Sequence, residues 1–238
     1  MSLYRDRGVV LRTIRLGEAD RIVTFVTESH GKVRAVAKGV RRTKSRFGAR
    51  LEPLGHAALL LYQGRDLDVV TQAESIEHFR AIREDLEAMA AATAMLEAVD
   101  QVAQERHANP RLYHMLVGAL RALAGSHSQL VVPAFFLKLL SAEGFEPLLD
   151  QCAGCASPGP LVAFDLEQGG ALCRSCRRGV ALSPDALALM RRILGGGLAG
   201  VLAEDDPPGW HEVSGLASRA LEHHLERRLR SLGVLDRA

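Results

Sequence analysis

All four cysteines of the chain fall into two Cys-x-x-Cys pairs, CAGC at 152–155 and CRSC at 173–176. Each pair is typical of a tight turn that directs two thiolates to one centre, and two such turns complete a tetrahedral cage. The 17 residues between the pairs have Pro and Gly near both ends and a short apolar run in the middle. We therefore predict a zinc ribbon that holds one structural zinc ion. Its four ligands are Cys152, Cys155, Cys173 and Cys176.

Instead of binding zinc, the four thiols could form two disulfides, act as a redox pair or bind iron. Two disulfides would need an oxidising compartment, and a dithiol redox pair would need only one of the two turns. The first residues, MSLYRDRGVV, are charged and lack the apolar segment of a signal peptide, and no apolar stretch approaches the length of a membrane span. We therefore expect a cytoplasmic protein with reduced thiols. Iron has the same four ligands in a rubredoxin-like cage, so it stays an alternative.

The first 76 residues have the pattern of a small β-barrel. Five runs rich in Val, Ile, Leu and Thr alternate with turn residues. They span 8–16, 20–29, 32–40, 55–64 and 67–76. Five short strands fit a closed barrel, because closure removes the exposed edges of a sheet. An OB-fold is the first choice and an SH3-like barrel the second.

The rest of the chain has a helical pattern. Helix formers dominate 75–105 and 130–144, and the run 109–125 has Pro110 just inside its start and Gly125 at its end. Two further helices are predicted, one that starts after the N-cap Ser183 and one over 212–232.

The fold class is therefore α+β, a five-stranded OB-fold followed by a helical domain that contains the four-cysteine element. The predicted domains are 1–78 for the OB-fold, 79–148 with 180–238 for the helical domain, and 149–179 for the zinc segment.

Positive charge is concentrated in the barrel region. Residues 1–76 hold 14 Lys and Arg against 8 Asp and Glu, although the net charge of the whole chain is only +2. Eight cations lie between residues 32 and 50 with no acid among them, and they are Lys32, Arg34, Lys38, Arg41, Arg42, Lys44, Arg46 and Arg50. A polyanion is the natural partner of such a stretch, so we predict that these eight residues bind a nucleic-acid backbone. A solvated loop that only confers solubility is the alternative.

Few aromatic residues accompany these cations. Tyr4 and Phe47 are candidates for stacking on bases, with packing as the alternative for each, whereas Phe25 and Tyr62 are expected in the core. A surface rich in cations and poor in aromatics should hold the backbone of either single or double strands without sequence preference.

The sequence offers no set of residues that predicts catalysis. The run GVRRTKS at 39–45 lacks the glycine before Lys44 that a phosphate-binding loop requires, so no nucleotide cofactor is expected. The run GGGLAG at 195–200 follows a helical pattern instead of a strand. We therefore predict a binding protein and not an enzyme.

Two long stretches resemble the bacterial DNA repair protein family RecO. The run from Asp6 to Leu54 is similar to the opening of the family. FFLKLLSAEGFEPLLDQCAGC, followed by FDLEQGGALCRSC, is similar to its central helix and zinc-binding segment. The resemblance covers most of the chain in order.

The resemblance implies a nucleoid-associated recombination mediator. It implies binding of single- and double-stranded DNA, annealing of complementary strands, and action with RecR and the single-stranded-DNA-binding protein to load a recombinase. Two other functions stay open from the residues alone. One is an RNA-binding, translation-associated protein with an OB-fold and a zinc ribbon, and the other is a scaffold whose basic loop meets an acidic protein.

Overall fold

The structure is a computed structural model that describes residues 2–43, 45, 47–126 and 128–235. The first five strands are β1 (Leu3–Leu16), β2 (Asp20–Thr27), β3 (Gly31–Ala37), β4 (His56–Tyr62) and β5 (Asp68–Glu77). Three helices follow, α1 (Arg80–Arg83), α2 (Leu86–Val102) and α3 (Pro110–Gly125). The remaining elements are α4 (Val131–Ala142), β6 (Leu161–Asp165), β7 (Gly170–Cys173), β8 (Val180–Ala181), α5 (Pro184–Leu194), α6 (Leu198–Leu202), α7 (Trp210–His224) and α8 (Leu232–Leu235).

The first five strands form a closed barrel. The strand order is β1-β2-β3-β5-β4, with β4 also paired to β1. β3 and β5 run parallel, and the other four pairs are antiparallel. The predicted five-stranded, OB-like barrel is therefore confirmed, and so is the α+β class.

Alternation along the strands fills the barrel with small and medium side chains. In β3, Val33, Ala35 and Ala37 are buried, while the residues between them are partly exposed. Phe25 of β2 is paired with Val33 and belongs to the same core. Tyr62, which the sequence places in the core, is one of the exposed large side chains.

The helical segment after the barrel is shorter than its composition predicts. β5 continues to Glu77, and a short helix ends at Arg83 before α2 begins. Asp85 separates the two helices, because its extended backbone ends the first and its carboxylate accepts a hydrogen bond from the N–H of Ala88 at 2.8 Å. The stretch 75–105, predicted as one helix, thus contains the end of β5 and the two helices α1 and α2.

The chain forms two compact units, one within residues 1–124 and one within 125–237. The first unit contains the barrel together with α1, α2 and most of α3. In this unit, a close approach between two backbone segments explains why residue 31 is a glycine. A Cβ on Gly31, whose φ is +68°, would lie 1.9 Å from the carbonyl oxygen of His107.

The second unit is built around α4, which is buried on nearly every side and packs against α5 and α7. Its small sheet has the order β7-β6-β8 and supports the segment with the cysteines. Ser183 caps α5 as predicted, since its hydroxyl accepts a hydrogen bond from the N–H of Ala186 at 3.1 Å. Among the described residues no helix is both long and apolar enough to span a membrane. The domain bounds given above stay a prediction.

Candidate nucleic-acid interface and metal centre

The predicted cations of β3 lie on the outer face of the barrel, but acidic side chains of the same unit already contact them. Lys32 is only 16% exposed, and its Nζ donates to the carbonyl oxygen of Asp100 at 2.6 Å and lies 3.6 Å from the carboxylate. Arg34 is paired with Glu105 at 3.7 Å. Both acids lie in or just after α2. Their carboxylates already offset the charge of Lys32 and Arg34, which weakens the attraction of these two cations for an external anion.

Backbone pairing brings these acids to β3. The N–H of Lys32 donates to the carbonyl of Gln104 at 3.1 Å, and the N–H of Arg106 donates to the carbonyl of Lys32 at 3.0 Å. Residues 104–106 therefore line the edge of β3 next to the stretch that pairs with β5. The sequence gives no sign of this contact, because Asp100 lies 68 residues from Lys32 in a run of ordinary helix formers.

A second group of cations follows β3 and is exposed. We call Lys38, Arg41 and Arg42 the basic turn; all three are exposed. The Arg41 guanidinium donates to the carbonyl oxygens of Gly17, at 3.3 Å, and Glu18, at 2.9 Å. Since these carbonyls carry no formal charge, the bonds hold the side chain without neutralising it.

The basic turn is fixed to the turn that joins β1 and β2. The N–H of Arg41 donates to the carbonyl of Ala19 at 3.0 Å, and the N–H of Gly39 donates to the Asp20 carboxylate at 2.7 Å. The two turns are therefore held together at one end of the barrel. These hydrogen bonds hold the cations on a fixed support, which would lower the entropy cost of binding a polyanion.

Of the three remaining predicted cations, the structure describes only Arg50. Lys44 and Arg46 lie outside the described residues. Arg50 is exposed on a short 3-10 helix, Gly48–Leu51, where its guanidinium donates to the carbonyl of Phe47 at 3.3 Å. The structure thus brings Lys38, Arg41 and Arg42 together in one turn, whereas Lys32 and Arg34 are engaged with acids.

Neither aromatic candidate for base stacking presents an open ring. Phe47 is 1% exposed and packs in the barrel core. Tyr4 is partly buried, its ring lies 4.4 Å from that of His30, and its hydroxyl donates to Asp68. Burial and that carboxylate raise the pKa of Tyr4, so its hydroxyl keeps its proton. Packing explains both rings.

His56 is a buried residue that the sequence does not single out. It is 3% exposed on β4, with Nδ1 2.8 Å from Glu77 and Nε2 2.7 Å from the hydroxyl of Tyr113 on α3. Arg121 of α3 donates to the same Glu77 at 2.7 Å. This chain of contacts joins α3 to the barrel. The residues in contact lie far apart in the sequence, so no local sequence pattern could have predicted these contacts.

The four cysteines meet in the second unit as predicted. Their Sγ atoms all lie within 4.8 Å of one another, and those of Cys155 and Cys173 are 3.7 Å apart. A zinc–sulfur bond of about 2.3 Å gives sulfur–sulfur edges of about 3.8 Å in a regular tetrahedron, so this distance fits. Cys152 and Cys173 are buried, which places the cage against the small sheet.

Backbone N–H groups near this cluster favour the ionised form of one of its thiols. The N–H groups of Cys173, Gly154 and Cys155 lower the pKa of the Cys152 thiol to about 6. Hydrogen bonds to the other three thiols raise the pKa of Cys176 to about 12, because its proton is shared with them. A divalent cation would allow all four to ionise, so these residues could hold a metal such as zinc.

Comparison with known protein families assigns both halves of the chain. Residues 1–79 match the family described as Recombination protein O N terminal, which coincides with the barrel. Residues 83–233 match Recombination protein O C terminal, which includes the cysteine cluster. Together the two matches span nearly the entire sequence in the expected order. With its OB-like barrel and four-cysteine cluster, the chain belongs to the RecO family of recombination and DNA repair proteins.

Proposed function

We propose that this RecO-family protein holds DNA strands through phosphate contacts at the basic turn. The observation that carries the proposal is the exposure of Lys38, Arg41 and Arg42 on a turn fixed to the end of an OB-like barrel. Arginine binds phosphate oxygens in a bidentate manner, and lysine supplies a point charge. Lys44, Arg46 and Arg50 extend the same stretch of sequence and belong to the proposed interface.

Lys32 and Arg34 have a secondary role in this interface. Each would have to exchange its carboxylate partner for a phosphate, so each adds less to affinity than an exposed cation does. The interface should therefore be indifferent to base sequence and should accept single and double strands, because phosphates are common to both.

Strand annealing follows from such a surface without a chemical step. Two complementary strands repel each other through their phosphates, and a cationic surface that holds both lowers this barrier. Base pairing then provides the free energy. We therefore propose a non-enzymatic mediator whose annealing does not need ATP.

The metal site has a structural role in this proposal. Four thiolates fill the tetrahedral shell of a zinc ion and leave no open position for a substrate. Cys152, Cys155, Cys173 and Cys176 would hold one zinc ion and join the two turns to the small sheet. Elemental analysis of protein purified without chelator should find about one zinc per chain. Less than about a tenth of an equivalent, with four titratable thiols, would refute this assignment.

Partnership with RecR and with the single-stranded-DNA-binding protein is proposed from family membership. One feature of the first unit supports an acidic peptide partner. A groove of about 530 Å³ lies between α3 and strands of the barrel, with apolar Ile76 and Val117 in its lining and Arg7 and Arg121 beside them. A peptide that carries both acidic and apolar side chains would fit this chemistry.

The proposed function can be tested on the purified chain with oligonucleotides of one sequence. Gel shifts at several salt concentrations should detect single- and double-stranded DNA, and complementary strands should anneal without ATP. Stronger binding to RNA than to DNA would favour the translation-associated alternative. The absence of nucleic-acid binding, together with salt-resistant binding of an acidic protein, would favour the scaffold.

A further inference from the structure

The segment between α4 and the first cysteine pair presents two large apolar side chains to solvent. We call residues 143–150 the acidic segment. Within it Phe145 is 58% exposed and Leu148 is 39% exposed. Among the described residues of the second unit, no other large apolar side chain is exposed to this extent. Single scattered apolar residues are normal on a protein surface, whereas their concentration in one short segment indicates a contact surface.

Hydrogen bonds of the backbone fix the acidic segment at two points. Where α4 ends, the N–H of Phe145 donates to the carbonyl of Leu140 at 2.8 Å. Further along, the N–H of Leu148 donates to the carbonyl of Gly169 at 3.0 Å, and the N–H of Ala171 donates to the carbonyl of Leu148 at 2.8 Å. The two apolar residues are therefore held in place before a partner binds, which would lower the entropy cost of binding.

The ring of Phe145 is also held by a contact with α7. Its centroid lies 3.9 Å from that of His224, with an angle of 45° between the two ring planes. Despite this contact, more than half of Phe145 stays open to solvent. Aromatic side chains of this kind are the residues that contribute most often to the affinity of protein interfaces.

The charges around the two apolar side chains are negative. The acidic segment contains Glu143, Glu146 and Asp150, and it contains neither lysine nor arginine. Glu146 accepts a hydrogen bond from the hydroxyl of Ser141, which carries no charge. The carboxylate of Asp150 lies 3.4 Å from Nε of Arg191, but its side chain is 91% exposed, so this pair is weak. Because like charges repel, this surface is unsuited to the phosphates of DNA.

We infer that the acidic segment is a docking surface for a protein partner that presents an apolar pocket rimmed by lysine or arginine side chains. Phe145 and Leu148 fill the pocket, and the carboxylates of the segment face the cations of the rim. Burial of the two apolar side chains supplies affinity, and the complementary charges select the partner and speed the encounter. This inference does not depend on the proposed binding of DNA.

The test uses a fluorescent synthetic helix of about 14 residues, with leucine on one face and lysine on the other, and a matched peptide with glutamate in place of lysine. In anisotropy titrations the full chain should bind the lysine peptide at least about tenfold more tightly than the glutamate peptide. Phe145→Ser/Leu148→Ser should weaken binding of the lysine peptide at least about tenfold, because both apolar contacts are lost. Glu143→Gln/Glu146→Gln should weaken it at least about threefold at low salt and less at high salt.

Leu86→Ser is the matched control, since Leu86 is 78% exposed at the start of α2 in the first unit. It should bind both peptides as the wild type does. All variants should melt at nearly the wild-type temperature and bind single-stranded DNA normally, because the altered side chains are exposed and lie outside the proposed DNA interface.

Three results separate the possible outcomes. A wild type without preference for the lysine peptide, or a Phe145→Ser/Leu148→Ser variant that binds it as tightly as the wild type, would overturn the inference. Self-association of the wild type that this variant abolishes would assign the surface to a second copy of the chain and would overturn it as well. A wild type that binds the lysine peptide as expected but no DNA would remove the proposed function and support this inference.

Discussion

At the scale of single residues, the imidazole of His56 joins the barrel to α3. Burial lowers the pKa of His56 even though Glu77 alone would raise it. The unfolded chain therefore takes up a proton at a higher pH than the native protein does. The stability that depends on neutral His56 is complete above the unfolded pKa, about 6.5, and is lost as the pH falls through that value.

We expect His56→Leu to lower the unfolding free energy at about pH 7.5 by about 1–3 kcal/mol, because Glu77 and the Tyr113 hydroxyl lose a buried partner. The variant should also lose less stability than the wild type between about pH 7.5 and about pH 5.5. Urea unfolding at the two pH values measures both effects. His78→Gln, at an exposed position, is the control and should keep the wild-type dependence. An identical pH dependence in His56→Leu would refute the role given to this imidazole.

Local sequence patterns predicted those structural features that depend on residues close together in the sequence. The five apolar runs of the first 76 residues correctly indicated the five barrel strands, and Ser183 correctly indicated the start of α5. The pairing of Lys32 with Asp100 depends on how α2 packs against the barrel, which no local pattern contains. Exposure of Tyr62 and burial of Phe47 likewise depend on barrel closure.

At the scale of elements, Asp85 decides where α2 begins. Composition alone favours one long helix, since helix formers occupy nearly every position around this residue. The Asp85 carboxylate satisfies the N–H of Ala88 and thereby stabilises a new helix start. Asp85 is therefore a usable sequence signal for the start of α2, although helix propensity alone does not indicate it.

Removal of this cap should have a measurable cost. We expect Asp85→Ala to lower the unfolding free energy by about 1 kcal/mol, because one N–H at the start of α2 loses its acceptor. Asp85→Asn keeps an acceptor oxygen and should retain most of the stability. Chemical denaturation of the three proteins provides the comparison. Equal stability of the alanine and wild-type proteins would show that the cap contributes nothing.

The cysteine cluster should control the stability of the second unit. If a zinc ion is bound by the four thiolates, a strong chelator should lower the midpoint of thermal unfolding of this unit by at least about 10 °C. Cys173→Ser should have a similar effect without chelator, since a hydroxyl is a poor zinc ligand. Restoration of the midpoint by added zinc is the control. A midpoint that chelator leaves unchanged would argue against a structural metal.

At the scale of the whole molecule, a nearly neutral chain is expected to bind a polyanionic partner. The net charge of +2 gives little long-range attraction, so such binding would have to come from the local concentration of charge on the barrel. The structure refines that expectation, because Lys32 and Arg34 contact acids while the basic turn is exposed. We therefore propose that a few exposed cations contact phosphates directly.

The salt dependence of single-stranded DNA binding shows whether these cations contact phosphates. For single strands, the slope of log affinity against log salt is about −0.7 per neutralised phosphate. Lys38→Gln/Arg42→Gln should therefore make the slope shallower by about 1.4 and weaken binding at low salt. Arg5→Gln/Arg111→Gln removes the same number of charges at exposed positions elsewhere in the first unit and should keep the wild-type slope. Equal slopes for the two double variants would contradict the claim.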